Sequence, residues 1–161
     1  MLIGILSDTH NRLDRTIAAV AILQNAGAEA LIHCGDLTGP DIVHACGILP
    51  ATFVLGNNDF DVPILKRAVA DVGGTFLGEG GVVTLAGKRL AVTHGHMTKD
   101  VRSLLAANPD YLFYGHSHLA DDSRSGSIRQ INPGALHRAD EYTVALLDLA
   151  RDELRFLRVP R

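Results

Sequence analysis

The chain has 161 residues, of which 47% are hydrophobic and 20% are charged, so it is long and apolar enough for a single globular domain, residues 1–161. Its formal net charge of −3, without a long basic run, argues against a protein that grips a nucleic-acid duplex. The apolar start reaches Asp8 too early for a signal peptide and no later run could span a bilayer, which predicts a cytoplasmic protein. Cys34 and Cys46 lack CxxC spacing, so they are expected to be buried apolar residues.

The first half of the chain alternates short apolar runs with helical periodicity. Strands are predicted over residues 2–7, 30–34 and 51–55. Three helices are predicted between and after these strands. The first is capped by Asn11, has Gly27 as its stop, and buries the face formed by Leu13, Ile17, Val20 and Leu23. The second runs from Pro40 to about Ile48, and the third carries Leu65, Val69 and Val72 and ends at Gly73. This βαβ alternation is typical of a parallel sheet.

From Gly74 onward the pattern changes to antiparallel pairs. A hairpin is predicted over 82–93, a helix between its cap Thr98 and Pro109, strands over 110–114 and 127–131, and a last hairpin over 143–159. Strands that are apolar on both sides need cover on both faces. The expected fold is therefore an α/β, four-layer αββα sandwich of two mixed β-sheets flanked by helices.

Polar residues follow five of these strands at the point where each strand ends. They are Asp8-Thr9-His10, Gly35-Asp36, Gly56-Asn57-Asn58-Asp59, His94-Gly95-His96 and Gly115-His116-Ser117-His118. In an open α/β sheet ligands bind outside the carboxyl ends of the strands, so these loops are expected to converge. Side chains two residues apart on an extended segment point to the same side, so both histidines of Gly-His-x-His can enter one cavity.

Imidazoles and carboxylates in this number favour a divalent metal site. The candidate ligands are Asp8, His10, Asp36, Asn57, His94, His116 and His118. That set is too large for one tetrahedral zinc ion and suits two ions that share a carboxylate. Ordinary caps and loop polar residues would explain any one of these residues, but not the whole ordered set.

The ordered motifs Asp-x-His, Gly-Asp, Gly-Asn-x-Asp, His and Gly-His-x-His resemble those of the calcineurin-like metallophosphoesterases. The short chain and its Asn132-Pro133-Gly134 turn are similar to the small, capless phosphodiesterase branch of that superfamily. The resemblance covers nearly the whole chain. It implies a phosphoric ester hydrolase with two divalent ions, manganese first, with iron, nickel, cobalt and zinc as alternatives. By the same resemblance one ion is held by Asp8, His10, Asp36 and His118 and the other by Asp36, Asn57, His94 and His116, with Asp36 as the bridge.

The third motif departs from the family pattern, which usually reads Gly-Asn-His-Asp, because Asn58 stands in place of the histidine. In many members that histidine bonds a phosphoryl oxygen and helps to protonate the leaving group, whereas an asparagine cannot act as an acid near neutral pH. Substrates with good leaving groups are therefore expected, unless His96 supplies the proton. His96 contacting substrate and His96 supporting a neighbour are equally compatible with the sequence. Asp59 is expected to orient a metal ligand.

Charge counting supports a small phosphodiester as the substrate. Two dications, the carboxylates of Asp8 and Asp36 and a bridging hydroxide leave a net charge of about +1, which matches the single negative charge of a diester. The expected reaction is in-line attack of that hydroxide on phosphorus. A phosphomonoesterase or nucleotide phosphatase of the same fold stays open, as does a non-catalytic protein-binding scaffold, although the complete ligand set favours an enzyme. A homo-oligomer formed through an edge strand or an apolar surface also stays open, and no membrane partner is expected.

Overall fold

The computed structural model describes residues 1–161 and contains four helices and eleven strands. The helices are α1 Leu13–Asn25, α2 Pro40–Cys46, α3 Val62–Asp71 and α4 Thr98–Ala106. The strands are β1 Leu2–Leu6, β2 Ala30–His33, β3 Ala51–Phe53, β4 Thr75–Phe76, β5 Gly80–Leu85, β6 Lys88–Thr93, β7 Tyr111–Phe113, β8 Ala120–Ser125, β9 Ile128–Pro133, β10 Thr143–Asp148 and β11 Glu153–Arg158. None of the helices has the length and apolar character needed to span a lipid bilayer.

The strands form two mixed sheets. Sheet 1 has the order β11-β10-β1-β2-β3-β4, in which β1 to β4 are parallel and β10 and β11 are antiparallel additions at one edge. Sheet 2 has the order β5-β6-β7-β9-β8, with β6, β7 and β9 parallel and the two outer strands antiparallel to their neighbours. The parallel strands therefore end side by side at one edge of each sheet, where loops can meet.

Side-chain alternation along the strands divides the core into layers. Ile3 and Ile5 of β1 point toward sheet 2 and pack in one cluster with Phe113 of β7, which forms the core between the sheets. Leu6 points the other way, into a cluster with residues of α1, α2 and α3. The outer face of sheet 2 packs through Leu112 and its neighbours against α4. The predicted four-layer αββα sandwich is confirmed.

Two strands were not predicted from the sequence. Strand β4 has only two residues, too few to give a pattern. Strand β8 reads ADDSRS and is mostly exposed, because it is an edge strand that pairs only with β9, so it carries no apolar alternation. The predicted turn at Asn132 begins later than expected, since Asn132 and Pro133 belong to β9 and only Gly134 leaves the strand, with a φ of +85°.

Both predicted helix caps were wrong. The residue before α1 is Arg12, while Asn11 has a φ of +56° and its backbone N–H donates to the Leu37 carbonyl at 3.0 Å. Thr98 is already the first residue of α4, and no side chain caps either helix. The predicted buried face of α1 is also partly wrong, because Ile17 is 51% exposed. The neighbouring loops determine where these helices start, and local propensity could not reveal those contacts.

Candidate metal centre

The polar loops after β1, β2, β6 and β7 meet across the two sheets. Within sheet 1 the Asp8 N–H donates to the Gly35 carbonyl at 3.1 Å. From sheet 2 the His116 N–H donates to Asp8 Oδ2 at 3.1 Å, and His94 Nδ1 lies 2.8 Å from the Cys34 carbonyl oxygen. The site is therefore built at the seam between the sheets, and its geometry depends on how they pack.

The loops hold an unusual backbone conformation. The φ angles of five candidate ligands are positive: Asp8 +54°, His10 +43°, Asp36 +56°, His116 +68° and His118 +60°. Such angles are uncommon for residues with a Cβ and persist only where the surrounding structure imposes them, often at functional sites. The fold therefore holds these five residues in a strained backbone conformation that directs their side chains.

Two buried carboxylates lie at the centre of the site. Asp36 Oδ2 is 3.3 Å from His10 Nε2 and 3.4 Å from His94 Nε2. Asp8 Oδ1 is 3.1 Å from His118 Nε2, 4.0 Å from His10 Nε2 and 3.9 Å from His94 Nε2. Two groups have ligand atoms that all lie within 4.8 Å of one another, namely Asp8 with His10 and His118, and Asp8 with Asp36 and His94. Both carboxylates thus reach histidines of both groups.

The remaining candidate ligands border the same opening. Asn57 Oδ1 is 3.1 Å from His94 Nε2, and the His116 ring centroid is 5.2 Å from that of His94. Both Asn57 and His116 are exposed, in contrast to the carboxylates. A cavity of about 350 Å³ is lined by His10, Asp36, Asn57, Asn58, His116, His118, His137 and Arg138. Five of the seven predicted ligands line this cavity, and the other two, Asp8 and His94, are buried behind it with ligand atoms within 4.8 Å of Asp36.

The hydrogen bonds in the site leave specific atoms free. Asp8 Oδ2 accepts from the Ser7 hydroxyl at 2.6 Å as well as from the His116 N–H, but buried Asp8 Oδ1 and His10 Nε2 have no hydrogen-bond partner. Buried polar atoms normally have one, so these two point to a missing ligand. The Nδ1 atom of His94, like that of His118 at 3.3 Å from the Arg138 carbonyl, faces a backbone oxygen, which directs Nε2 inward. Carboxylate oxygens and inward Nε2 atoms are a donor set that fits divalent metal ions.

The pKa values in the site follow from the close pairing of carboxylates and histidines. Burial by itself would raise the pKa of Asp36, but the adjacent His10, His94 and Asn58 side chains hold it well below its usual range. Burial would lower the pKa of His94, yet Asp36 and Asp8 outweigh it and raise that pKa above its ordinary value. The two carboxylates therefore favour positive charge at the centre of the site.

Asn58 and Asp59 form hydrogen bonds with the loops that carry the candidate ligands. Asn58 donates twice to Asp36, from its backbone N–H to Oδ1 at 2.9 Å and from Nδ2 to Oδ2 at 2.8 Å. Asp59 accepts the backbone N–H groups of Thr38 and Gly56, both at 2.7 Å. Asp59 therefore fixes the backbone of the loops that carry Asp36 and Asn57, and its contacts are with main-chain amides, not with a histidine ring.

His96 lies near the site without touching the carboxylates. Its ring centroid is 5.4 Å from that of His94 and 6.1 Å from that of His116. The side chain is half-buried, and its Nδ1 has no hydrogen-bond partner. His96 therefore lies beside His94 and His116, and it is not one of the residues that line the cavity.

Two residues outside the predicted ligand set, His137 and Arg12, also lie beside the site. The His137 ring centroid is 4.8 Å from that of His10, and Arg12 Nε donates to His137 Nδ1 at 3.3 Å. The preceding Asn132 side chain donates to the Gly115 carbonyl at 2.9 Å and so ties this segment to the Gly-His-x-His loop. The signals in the sequence were the position of Arg12 two residues after His10 and that of His137 shortly after the Asn132 turn.

Comparison with known proteins agrees with this arrangement. Residues 1–152 match the family model described as the calcineurin-like phosphoesterase superfamily domain. Phosphodiesterase MJ0936 of Methanocaldococcus jannaschii is 28% identical over 96% of this chain and 97% of its own, and phosphodiesterase YfcE of Escherichia coli is 27% identical over 81% of this chain and 76% of its own. A solved structure described as a novel archaeal phosphodiesterase superimposes with a TM-score of 0.89 at 27% identity, over 98% of this chain and 99% of that one. The chain belongs to the calcineurin-like phosphoesterase superfamily.

Proposed function

We propose that this protein is a metal-dependent phosphodiesterase that acts on small phosphodiesters with two divalent ions. One ion would be held by Asp8, His10, Asp36 and His118, and the other by Asp36, Asn57, His94 and His116. The observation that carries this proposal is the pair of buried carboxylates that face three Nε2 atoms, with Asp8 Oδ1 and His10 Nε2 lacking any other partner. Without cations, such a group of buried anions would be costly to maintain.

The surrounding residues prepare this site before any ion binds. When bound, two divalent ions supply an activated water and neutralise charge on the phosphoryl oxygens. Asn58 fixes the carboxylate of Asp36 through two hydrogen bonds, so its position between His10 and His94 is set in advance. His96, whose ring centroid lies 6.1 Å from that of His116, is the histidine we propose as proton donor to a departing alkoxide. Asn58 cannot perform that task, because an amide is not an acid near neutral pH.

A diester is favoured over a monoester by the scarcity of cationic side chains in the cavity. Arg138 is the only lysine or arginine among the residues that line it. A dianionic monoester needs more positive charge than a diester, which carries one negative charge. The relatives named as phosphodiesterases, MJ0936 and YfcE, agree with this choice. Manganese is the metal we expect first, from the resemblance to the family, and this set of oxygen and nitrogen ligands also admits iron, nickel, cobalt and zinc.

The test is a hydrolysis screen on protein stripped of metal and reloaded with manganese, iron, nickel, cobalt or zinc. Bis(p-nitrophenyl) phosphate should be cleaved faster than p-nitrophenyl phosphate, and metal analysis should approach two ions per chain. Asp110→Asn is the matched control for replacing a predicted ligand, as in Asp36→Asn. Asp110 is an exposed carboxylate on sheet 2, away from the site, whose side chain accepts a hydrogen bond from the Arg89 N–H. A preference for the monoester would favour a phosphatase, and a metal-loaded protein that cleaves no ester would favour the scaffold alternative.

A further inference from the structure

A second pocket opens directly beside the metal centre. It has a volume of about 490 Å³, and we call it the side pocket. Its apolar wall consists of Pro40, Phe60, Ile64 and Leu65, and it shares His10 and Asn58 with the cavity over the carboxylates. A group bound at the carboxylates can therefore extend a substituent into the side pocket without leaving the protein surface.

Phe60 is exposed to an extent that is unusual for an aromatic side chain. It is 85% exposed, the largest value among the exposed large hydrophobic residues, and Ile64 in the same wall is 49% exposed. Exposed aromatic surface beside a polar site is typical of a binding surface rather than of the core. Leu65, which is only 2% exposed, forms an apolar base beneath them.

The backbone position of Phe60 is fixed by hydrogen bonds of its two neighbours, Asp59 and Asp61. Asp59 accepts the N–H groups of Thr38 and Gly56, and the Asp61 side chain accepts the Ile64 N–H at 3.3 Å as the cap of α3. The backbone on each side of Phe60 is therefore anchored. Little ordering of the chain is needed when a ligand binds, and such preorganisation favours affinity.

The charge of the side pocket indicates which kind of substituent it accepts. Asp61 lines it, and no lysine or arginine does. A second phosphate or another anion would be repelled there, whereas a neutral, flat, apolar group would gain contact with the ring of Phe60. The volume lies within the range of ordinary small-molecule pockets and accommodates an aryl ring or a nucleobase.

We propose that the side pocket binds an aromatic ring carried by one ester arm of the substrate, with Phe60 as the stacking residue. The proposal rests on the phosphodiesterase function inferred above, and it narrows the substrate class to diesters that bear an aryl group or a nucleobase. Because Phe60 is largely exposed, its stacking should fall in the lower part of the range for base–aromatic contacts and tighten binding by about 5- to 20-fold.

Binding measurements on the manganese-loaded protein test this without requiring turnover. Methyl(phenyl)phosphinate and dimethylphosphinate each carry one negative charge, as a diester does, have two stable P–C bonds and differ in the ring. Calorimetry should show the phenyl compound binding about 5- to 20-fold more tightly. In Phe60→Ala the two affinities should agree within about twofold, while dimethylphosphinate keeps its wild-type affinity. Phe156→Ala is the matched control, because Phe156 is a 39% exposed phenylalanine on β11 and should leave the preference intact.

A second pair of probes separates the two sources of the ring. Methylphosphinate analogues of thymidine 5′-phosphate and of deoxyribose 5-phosphate each carry one negative charge and differ only in the nucleobase. A larger affinity ratio for this pair than for the phenyl pair assigns the pocket to a nucleobase, and a smaller ratio assigns it to an aryl group. Ile64→Ala, in the same apolar wall, should reduce the larger of the two affinity ratios, as Phe60→Ala does.

The outcomes separate this inference from the proposed function. Equal affinities within both pairs in the wild type, or a preference lost equally in Phe156→Ala, would overturn the side-pocket proposal and leave the diesterase intact. A ring preference that depends on Phe60 in a protein that hydrolyses no ester would overturn the diesterase and leave the pocket. Failure of the metal-loaded protein to bind any of these singly charged phosphinates would overturn both.

Discussion

Asp36→Asn removes the one carboxylate that lies within 3.4 Å of histidines assigned to both ions, 3.3 Å from His10 Nε2 and 3.4 Å from His94 Nε2. The substitution keeps the shape of the side chain and an oxygen that can accept from the Asn58 N–H, which donates to Asp36 at 2.9 Å in the native protein. We expect the variant to fold, because the change lies in a loop beside an open cavity. We expect it to lose metal and activity, because the shared negative charge is gone.

The size of the effect follows from Coulomb's law. At an effective dielectric constant of about 20, opposite unit charges separated by the 3.4 Å between Asp36 Oδ2 and His94 Nε2 attract by roughly 5 kcal/mol, and a divalent ion bound by Asp36 would interact more strongly. Solvation of the charges offsets part of this, and a surviving half corresponds to roughly 10²-fold in the affinity for each ion. Because both ions depend on Asp36, catalysis at limiting metal should fall by about 10³-fold or more.

Metal titration and hydrolysis of bis(p-nitrophenyl) phosphate measure the two effects separately. Asp8→Asn is the informative comparison, because Asp8 Oδ1 also faces histidines of both groups, but at the longer distances of 4.0 Å to His10 and 3.9 Å to His94. Asp36→Asn should bind at most one ion, whereas Asp8→Asn should keep the ion assigned to His94. If Asp36→Asn retained two ions and wild-type activity at saturating metal while Asp8→Asn lost both ions, Asp8 would be the bridge and the assignment would be refuted.

Three further predictions concern neighbouring residues. Asn58→His should make the rate of hydrolysis less dependent on leaving-group acidity and raise it for alkyl diesters by up to about 10²-fold, since a general acid contributes about 10²–10⁴-fold. An unchanged slope of log rate against leaving-group pKa would show that another group already delivers the proton. The melting temperature of metal-free protein should fall as the pH rises above the ordinary pKa of 6.5, because the raised pKa of His94 means that its protonated pairing with Asp36 stabilises the fold at lower pH and is lost at higher pH. Added metal should accordingly raise the melting temperature more at about pH 8 than at about pH 6, and the reverse order would contradict this account. Gly56→Ala should weaken metal binding at least about tenfold, because a Cβ there would overlap Asp36 Oδ1, whereas Gly81→Ala, facing only the flexible Leu77 side chain, should bind metal normally.

The sequence by itself was sufficient to predict the fold class and the convergence of the five polar loops. Runs such as LIGIL in β1 and ALIH in β2 are apolar on both faces, which requires cover on both sides and so indicates layered parallel sheets. Parallel strands end at the same edge, so motifs more than 100 residues apart, such as those around Asp8 and His116, could be expected to meet. These inferences need only the periodicity of side chains and the direction of strands.

The tertiary structure alone decided which atoms meet at the site. Nothing in the local pattern shows that Asn58 donates to Asp36, that His137 lies beside His10, or that Phe60 forms the wall of a pocket that opens onto the same site. The same holds for Asn11, which has the residue type of a helix cap but bonds a neighbouring loop instead. Local patterns report the preferences of a segment for its own conformation and burial, whereas these contacts depend on how loops from two separate sheets pack together, and packing over such sequence distances leaves no periodic signal in the chain.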